Sequence, residues 1–196
     1  MKLALIRHGQ TDWNIQRRYQ GWQGVDLNAV GREQAAAVAP QIVTTGTAIG
    51  ARWSWLASST SPRAAQTARI IGDKIGLKLS VQNEDLIERG FGAAEGMLIE
   101  EVRKRWPNRD YPGGETIEEV LTRALRGLDA VAKTQQGSDG IIVTHGTVLR
   151  IIVRHLTGVD PGSLPNGALA VLDGEPGRWR VEVHPAPDPN NQFDLR

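Results

Sequence analysis

The sequence predicts an α/β fold, and three observations predict it. Short apolar runs of strand length alternate with longer segments of helix formers along the chain. Two of those runs, residues 3–6 and Ile141-Ile142-Val143, are apolar without interruption, the pattern of strands buried on both faces. Both give way abruptly to polar, imidazole and glycine residues, Arg7-His8-Gly9 and Thr144-His145-Gly146, and the loops that carry chemistry in open α/β sheets lie at such carboxyl ends of strands. The stretch Leu5-Ile6-Arg7-His8-Gly9-Gln10-Thr11 is the one around which the remaining chain is read.

Residues 1–7 make the first strand. The polar, tryptophan-containing loop that follows, through Asn14, Arg17, Gln20, Gly21 and Asp26, is long for a connection. Asn28 is the cap of a helix carried by Gln34, Ala35, Ala36, Ala37 and Val38 toward Ile42. Pro40 is expected to bend that helix or end it early, leaving residues 44–50 as a breaker-rich linker. A second strand is expected over 53–58. Ser61 and Pro62 then supply the cap and first-turn signals of a helix running to about Ile75, with Arg63 in its first turn, where backbone N–H groups and the helix dipole already favour an anion. Residues 77–81 form a further strand. Residues 86–96 hold Glu88, Arg89, Gly90, Phe91, Gly92, Glu95 and Gly96, and glycines among carboxylates predict an irregular loop. A short helix over 97–106 stops at Pro107, a turn-rich stretch covers 108–114, and Thr116 with Glu119 three residues on makes a capping box for a helix to about Lys133. The strand at 141–143 is followed by a helix over 148–156, closing strands over 168–172 and 179–183, and a poorly ordered end from His184.

Composition narrows the function classes. With 196 residues, 40% hydrophobic and 23% charged, the chain has the length of one domain with a substantial core, and wholesale disorder is excluded. Twenty-three basic against 22 acidic side chains leave a net charge of +1, so no global field draws the protein to nucleic acid or a membrane, and any preference for anions is local. Cysteine is absent, which removes disulfides and thiolate metal sites and fits a reducing compartment. An amino terminus that enters a strand directly, and no apolar run of membrane-spanning length, give the expectation of a cytoplasmic protein with neither nucleic-acid nor membrane partners.

Three strands end in groups that phosphoryl transfer would use: Arg7 with His8 after the first, Arg63 beyond the second, and His145 after the strand at 141–143. In a sheet parallel through these strands, their carboxyl ends share one edge, and two arginines and two imidazoles converge. Such a cluster is costly when empty and becomes favourable around a phosphate dianion. A histidine that accepts a phosphoryl group needs a neutral ring, one nitrogen aimed at phosphorus and the other holding its proton to fix the tautomer; neighbouring cations favour that neutral form. His8 is read as this nucleophile. Arg7, Arg63, His145 and Asn14 are read as donors to the equatorial oxygens, over which charge spreads in the transition state. The leaving alkoxide needs a proton and the phosphohistidine an activated water. Glu88, in the glycine-rich loop, serves both steps by switching from acid to base.

Together these residues resemble the histidine phosphatase superfamily, in its branch of phosphoglycerate-mutase-like phosphatases. The match runs from Leu5 to about Leu156: Arg7-His8-Gly9-Gln10-Thr11 with Asn14, Gln20-Gly21, Ser61-Pro62-Arg63 with Gln66-Thr67-Ala68, Glu88 with Gly92 and Glu95-Gly96, and His145-Gly146. The resemblance implies a three-layer α/β/α sandwich about a mixed, mainly parallel sheet. It also implies a single domain over 1–185, with 88–115 as a cap-like insertion over the site and 186–196 as a tail. It further implies a phosphohistidine at His8, Glu88 as proton donor, and phosphate or substrate contacts from Arg7, Asn14, Gln20, Gly21, Arg63, His145 and Gly146. A small phosphorylated metabolite is the implied substrate, with no metal or cofactor.

Some positions depart from the family pattern. Ala94 stands where members often have tryptophan, and Asn28 where they have serine or threonine. The segment between the acidic motif and His145 is short, and Gly113-Gly114-Glu115-Thr116 resembles the phosphatase pattern, whereas Glu88-Arg89-Gly90-Phe91-Gly92 is similar in part to the acidic motif of the mutases. Hydrolysis is the first reading; a bisphosphate-primed phosphoglycerate mutase is the second and a non-catalytic phosphoester-binding protein the third. His155 and His184 lack metal-ligand spacing and are read as structural or solvated. Arg103-Lys104-Arg105, and Arg150 with Arg154, are read as solvated helix faces, and Trp13 and Trp22 carry no substrate assignment. Monomer and homodimer both fit.

Overall fold

In the computed structural model, which describes residues 1–186, the alternating pattern becomes a six-stranded sheet. Its strands are β1 (Lys2–Arg7), β2 (Trp55–Ser59), β3 (Leu79–Asn83), β4 (Gly140–Thr144), β5 (Leu169–Glu175) and β6 (Arg178–Val183), in the order β3-β2-β4-β1-β5-β6. The first four in that order are parallel; β5 runs antiparallel to β1, and β6 antiparallel to β5. The strand with the uninterrupted apolar run, β4, lies between β2 and β1 and is buried at every residue.

Side chains alternate to the two faces of this sheet, and each face carries its own helices. Ala4, Ile6, Leu56, Ile141 and Val143 pack under α2 (Ala29–Ile49) and α3 (Pro62–Ile75). Leu3, Leu5, Ala57 and Ile142 pack under α5 (Ile117–Thr134) and α6 (Gly146–Thr157). Each fully buried leucine or isoleucine contributes about 1.5–3 kcal/mol relative to exposure, so both layers are needed to hold the sheet. Two shorter helices, α1 (Asp12–Ile15) and α4 (Ile99–Arg105), sit in the connections. The α/β sandwich with a mixed, mainly parallel sheet is thus observed as expected.

Register aligns the strand ends that matter. Arg7 lies opposite Thr144 across β1 and β4, and Ser58 lies opposite Val143 across β2 and β4. The residues that follow these strands therefore meet at one edge of the sheet.

The largest departure from expectation is α2. Pro40 does not end it, and residues 44–50 are not linker: the helix continues to Ile49 and closes on Gly50 in a left-handed conformation. The buried stripe of Val38 and Ala39 continues past the proline through Ile42 and Gly46, and the proline is itself exposed. The Trp53 indole then donates to the Ile42 carbonyl at 3.0 Å and lies against Gly46. Tertiary burial outweighs one missing backbone donor. Asn28 does cap this helix, accepting from the Gly31 N–H at 2.8 Å, and the predicted Thr116–Glu119 box opens α5. Ser61 occupies the cap position of α3 without a side-chain bond. Strands expected over 53–58 and 77–81 begin two residues later, and the segment over 97–106 is helical from Ile99 to Arg105. Of the expected tail, residues 187–196 lie outside the described residues. Among the described residues, no helix is long and apolar enough to cross a membrane.

Candidate active site

β1 delivers Arg7 and His8 to the sheet edge, and three bonds fix the backbone there. The His8 N–H donates to the Thr144 carbonyl at 3.0 Å, the His8 carbonyl accepts from the Asn166 amide at 2.9 Å, and the Gly9 N–H donates to the Thr67 hydroxyl at 3.0 Å. Glycine is required at position 9: a Cβ there would lie 2.9 Å from the carbonyl carbon of Gly31 and nearer still to its oxygen.

Hydrogen bonding fixes the His8 tautomer. Nδ1 lies 2.7 Å from the Gly9 carbonyl, which can only accept, so the proton sits on Nδ1. Nε2 keeps its lone pair and accepts from Arg63 Nε–H at 3.2 Å. Burial, then the charges of Arg63 and Arg7, push the His8 pKa well below the ordinary 6.5, opposed only by the Gly9 carbonyl. The ring is neutral at physiological pH.

Arg63 projects from the first turn of α3, wholly buried, and its remaining donors reach the carbonyls of Gln23 at 2.9 Å and Gly21 at 2.8 Å. Burial lowers its pKa to about 10, with Glu88 and Glu95 opposing and Arg7 adding to the fall, so it remains cationic. Gly21 acts here through its carbonyl. Its φ of 51° is a left-handed conformation, and a Cβ would collide with the Glu95 carboxylate. That carboxylate in turn accepts from the N–H groups of Trp22 at 3.2 Å and Phe91 at 3.1 Å, which ties the Glu95-Gly96 motif to the loop around Gly21.

His145 is the cap residue of α6 and is wholly buried, with its ring centroid 5.1 Å from that of His8. Ser59 Oγ holds Nε2 at 2.7 Å, and Nδ1 has no partner. A buried ring nitrogen left so costs about 1–3 kcal/mol, which a ligand oxygen would offset. Burial first, then Arg63, His8, Arg123 and Arg7, push the His145 pKa well below 6.5. Arg7 is anchored to the Leu164 carbonyl, and Gly146 lets it lie close, since a Cβ there would stand 3.1 Å from Arg7 Nε.

Asn14 does not lie in irregular loop. It is the third residue of α1, whose capping box pairs it with Thr11: Asn14 Oδ1 accepts from the Thr11 N–H at 3.0 Å, which leaves its amide N–H groups for other acceptors. The Thr11 hydroxyl also reaches Gln20 Oε1 at 2.9 Å, fixing that side chain. Glu88 follows a 3₁₀ turn over Glu84–Leu86 and is 9% exposed. Its carboxylate accepts from the N–H groups of Arg89 at 2.8 Å and Thr147, in the first turn of α6, at 3.3 Å.

Arg7, His8, Asn14, Gln20, Arg63, Glu88 and Gly146 line one cavity of about 850 Å³; His145 is not among its lining residues and meets the His8 ring edge-on. The cavity walls include Arg17, Arg89, Arg103, Arg109, Arg150 and Arg154, so of the basic residues read as solvated helix faces Lys104 and Arg105 are exposed and do not line it, while Arg103, Arg150 and Arg154 border the site. They do so because α4 lies in the segment beside the cavity and α6 begins at its floor. This concentration of cations draws dianions to a protein of nearly zero net charge. Trp13 lines the cavity too, whereas Trp22 donates to the Glu88 carbonyl at 2.9 Å. Ala94 is buried with Phe91, Val102 and Tyr111, and Tyr19 and Trp106 pack against that cluster. Ser59, Asn166 and Arg123 were not singled out by the sequence, and Thr67 and Glu115 entered only as members of motifs with no role assigned; each matters through a tertiary contact that has no local signature.

Known proteins resemble this chain over nearly its whole length. Residues 3–186 match the profile of the histidine phosphatase superfamily (branch 1). The chain is 34% identical over 184 residues to a Bacillus subtilis protein named as the uncharacterized phosphatase PhoE, covering 92% of each chain. It is 30% identical to a metal-independent phosphoserine phosphatase of Arabidopsis thaliana, covering 92% of this chain and 79% of that one. Proteins named as mutases match as well, among them a 2,3-bisphosphoglycerate-dependent phosphoglycerate mutase of a Methylobacterium species at 29% identity, covering 92% of this chain and 91% of its own. Among solved structures, YhfR of Bacillus stearothermophilus superposes with a TM-score of 0.82 at 26% identity, covering 95% of this chain and 98% of its own.

Proposed function

The chain belongs to the histidine phosphatase superfamily and is an enzyme that hydrolyses phosphoesters, and we propose that His8 is its nucleophile and Glu88 its proton-transfer group. One observation carries this reading: His8 is held as the neutral Nδ1–H tautomer, with Nε2 presented to a buried arginine. An incoming phosphoryl oxygen takes over the Arg63 Nε–H and frees the lone pair for in-line attack. Nε2 then bonds to phosphorus as the ester oxygen leaves, and Glu88, entering the step as the acid, protonates that oxygen. Arg7, Arg63, His145 and Asn14 donate to the equatorial oxygens, with Gln20 and the Gly146 segment completing the cradle. In the second half, the Glu88 carboxylate takes a proton from water. The water oxygen attacks phosphorus, the P–N bond breaks, and inorganic phosphate leaves a neutral His8.

The charge neutralisation that a metal would provide falls to Arg7 and Arg63, which supports a metal-independent reaction, as does the name of the Arabidopsis relative. The cavity volume suits a small phosphorylated metabolite, with residues 88–115 as the cap over it and residues 1–185 as one domain in the cytoplasm. A second reading, bisphosphate-primed mutase, is favoured by the Glu88-Arg89 motif and the mutase-named relatives.

The test is phosphate release in EDTA from nitrophenyl phosphate and a metabolite panel containing 3-phosphoglycerate. His8→Ala is run alongside, and mutase turnover is assayed on the same protein. Release that survives the chelator and falls about 10³-fold or more in His8→Ala is the expected outcome. Loss of release in EDTA, or its persistence in His8→Ala, overturns the reading. Bisphosphate-dependent isomerisation without release makes the protein a mutase.

A further inference from the structure

We infer that Arg123 and Glu115 are positioning residues for Glu88: one ion pair suspends the loop carrying the proton-transfer carboxyl and sets where that carboxyl points. The inference rests on the role of Glu88 proposed above. Arg123 reaches from α5 with its side chain 12% exposed, and every donor of its guanidinium is engaged around that loop. Nη1 donates to the carbonyls of Asp85 at 2.9 Å and Ile87 at 2.7 Å, and Nη2 to the carbonyl of Glu88 itself at 2.8 Å. Nε and Nη2 grip the two carboxylate oxygens of Glu115 at 2.7 Å each. Glu115 passes the restraint on, its Oε2 accepting from the Gly90 N–H at 2.7 Å while its carbonyl accepts from Arg89 Nε–H at 2.7 Å.

The reason for such a clamp is local. The loop around Glu88 belongs to no sheet or long helix, so no ladder satisfies its carbonyls or fixes its course. α5 approaches closely because residue 127 is glycine, where a Cβ would stand 2.8 Å from Asp85 Cβ. The carboxyl meets Thr147 N–H at only 3.3 Å, so a small tilt of the loop breaks that contact. A proton-transfer group works only when held within a few tenths of an ångström of its partner, whereas His8 and Arg63 stand at the end of β1 and on α3 and are tied to this loop indirectly, through the segment around Gly21 and Trp22. Burial alone would raise the Glu115 pKa; Arg123, the Gly90 N–H and Arg89 outweigh it and hold the carboxyl below its usual range, so the pair is ionised at neutral pH.

The prediction separates positioning from general damage. In Arg123→Lys and Glu115→Gln, kcat/KM for an alkyl phosphate, whose leaving group needs a proton, falls about 10- to 100-fold. For nitrophenyl phosphate it changes less than about 3-fold, since that leaving group needs little protonation. Inhibition by inorganic vanadate, which reads the phosphate cradle, is unchanged. In a Glu88→Gln background, already selectively slow on alkyl phosphates, adding Arg123→Lys produces no further loss on them. Equal losses on both esters with Glu88→Gln still selective, weakened vanadate inhibition, or a full additional loss in the double variant each overturn the inference. Equal losses in Glu88→Gln itself overturn the role of Glu88 and the positioning idea with it. Glu115→Gln keeps shape and size, so a folded variant is in hand if Arg123→Lys is not.

Discussion

Two glycines facing each other decide how close the backbone beside His8 comes to the first turn of α2. A Cβ on Gly9 would press on the Gly31 carbonyl, and one on Gly31 would lie 2.7 Å from the Gln10 backbone nitrogen. Neither neighbour is the end of a flexible side chain, so the backbone next to His8 must move if either is filled. Gly9→Ala is therefore expected to destabilise the fold by about 1–3 kcal/mol and to lower kcat/KM by about 100-fold or more, because a shift approaching 1 Å misaligns Nε2 with its phosphate donors. Gly50→Ala is the control: its left-handed φ of 71° meets open space far from the site. It is expected to cost about 1–2 kcal/mol with kcat/KM unchanged. Urea unfolding and steady-state kinetics on both variants check this, and an active Gly9→Ala protein would remove steric fit as the reason for glycine beside His8. The motif Arg7-His8-Gly9 was legible in the sequence as a turn with chemistry; the opposing Gly31 was not, since nothing in its own neighbourhood marks it.

At the level of elements, strands and helices were legible wherever their apolar period is longer than a turn, and illegible where a distant contact overrides a local rule. β4 announced itself through three successive β-branched residues, and α5 through its capping box. α1 has only four residues, too few for a period, and its Thr11–Asn14 box substitutes asparagine for the usual glutamate. Pro40 is the converse case, a strong local signal that loses to the stripe of Val38, Ala39, Ile42 and Gly46. The same limit hid Arg123, which nothing in its own helix marks, and Arg150, read as part of a solvated helix face until folding shows what it borders. The helix retains the proline at the expense of one i to i−4 bond, to the carbonyl of Ala36. Pro40→Ala restores that donor on an exposed face, and the loss of proline's restraint on the unfolded chain offsets part of the gain. The net expectation is an increase in unfolding free energy of about 1–2 kcal/mol, seen as a higher urea midpoint with an unchanged slope. A lower midpoint would mean that the turn at Pro40 has adapted to the ring and needs it.

For the molecule as a whole, the parallel run β2-β4-β1 brings its groups to one edge, and two of those groups, His8 and His145, are buried in neutral form. In both, burial is the largest cause of a pKa well below 6.5, followed by Arg63. The sign of the consequence follows from proton counting. Well above pH 6.5 both imidazoles are neutral whether the chain is folded or not, and their titration adds nothing. As pH falls below 6.5, the unfolded chain binds protons that the folded one does not, so stability present above that value is lost toward the depressed folded values. Each histidine steepens this loss by up to about 1.4 kcal/mol per pH unit, and the two together by about 2.7. Carboxylates held low by arginine partners, Asp85, Glu115, Asp160 and Asp173, add to the decline only nearer their own range, below about pH 4.5. Between pH 6.5 and 5 the two site histidines should therefore dominate, and unfolding free energy measured by urea across that window should fall with close to their combined slope. His8→Gln, which keeps a neutral polar side chain and removes one titrating ring, is expected to lower the slope by about half. A wild-type curve that is flat over this window, or one whose slope His8→Gln leaves untouched, would mean that the folded protein protonates these rings at their ordinary pKa. The neutral His8 on which the proposed phosphoryl transfer depends would then be lost just below neutrality instead of persisting into acid.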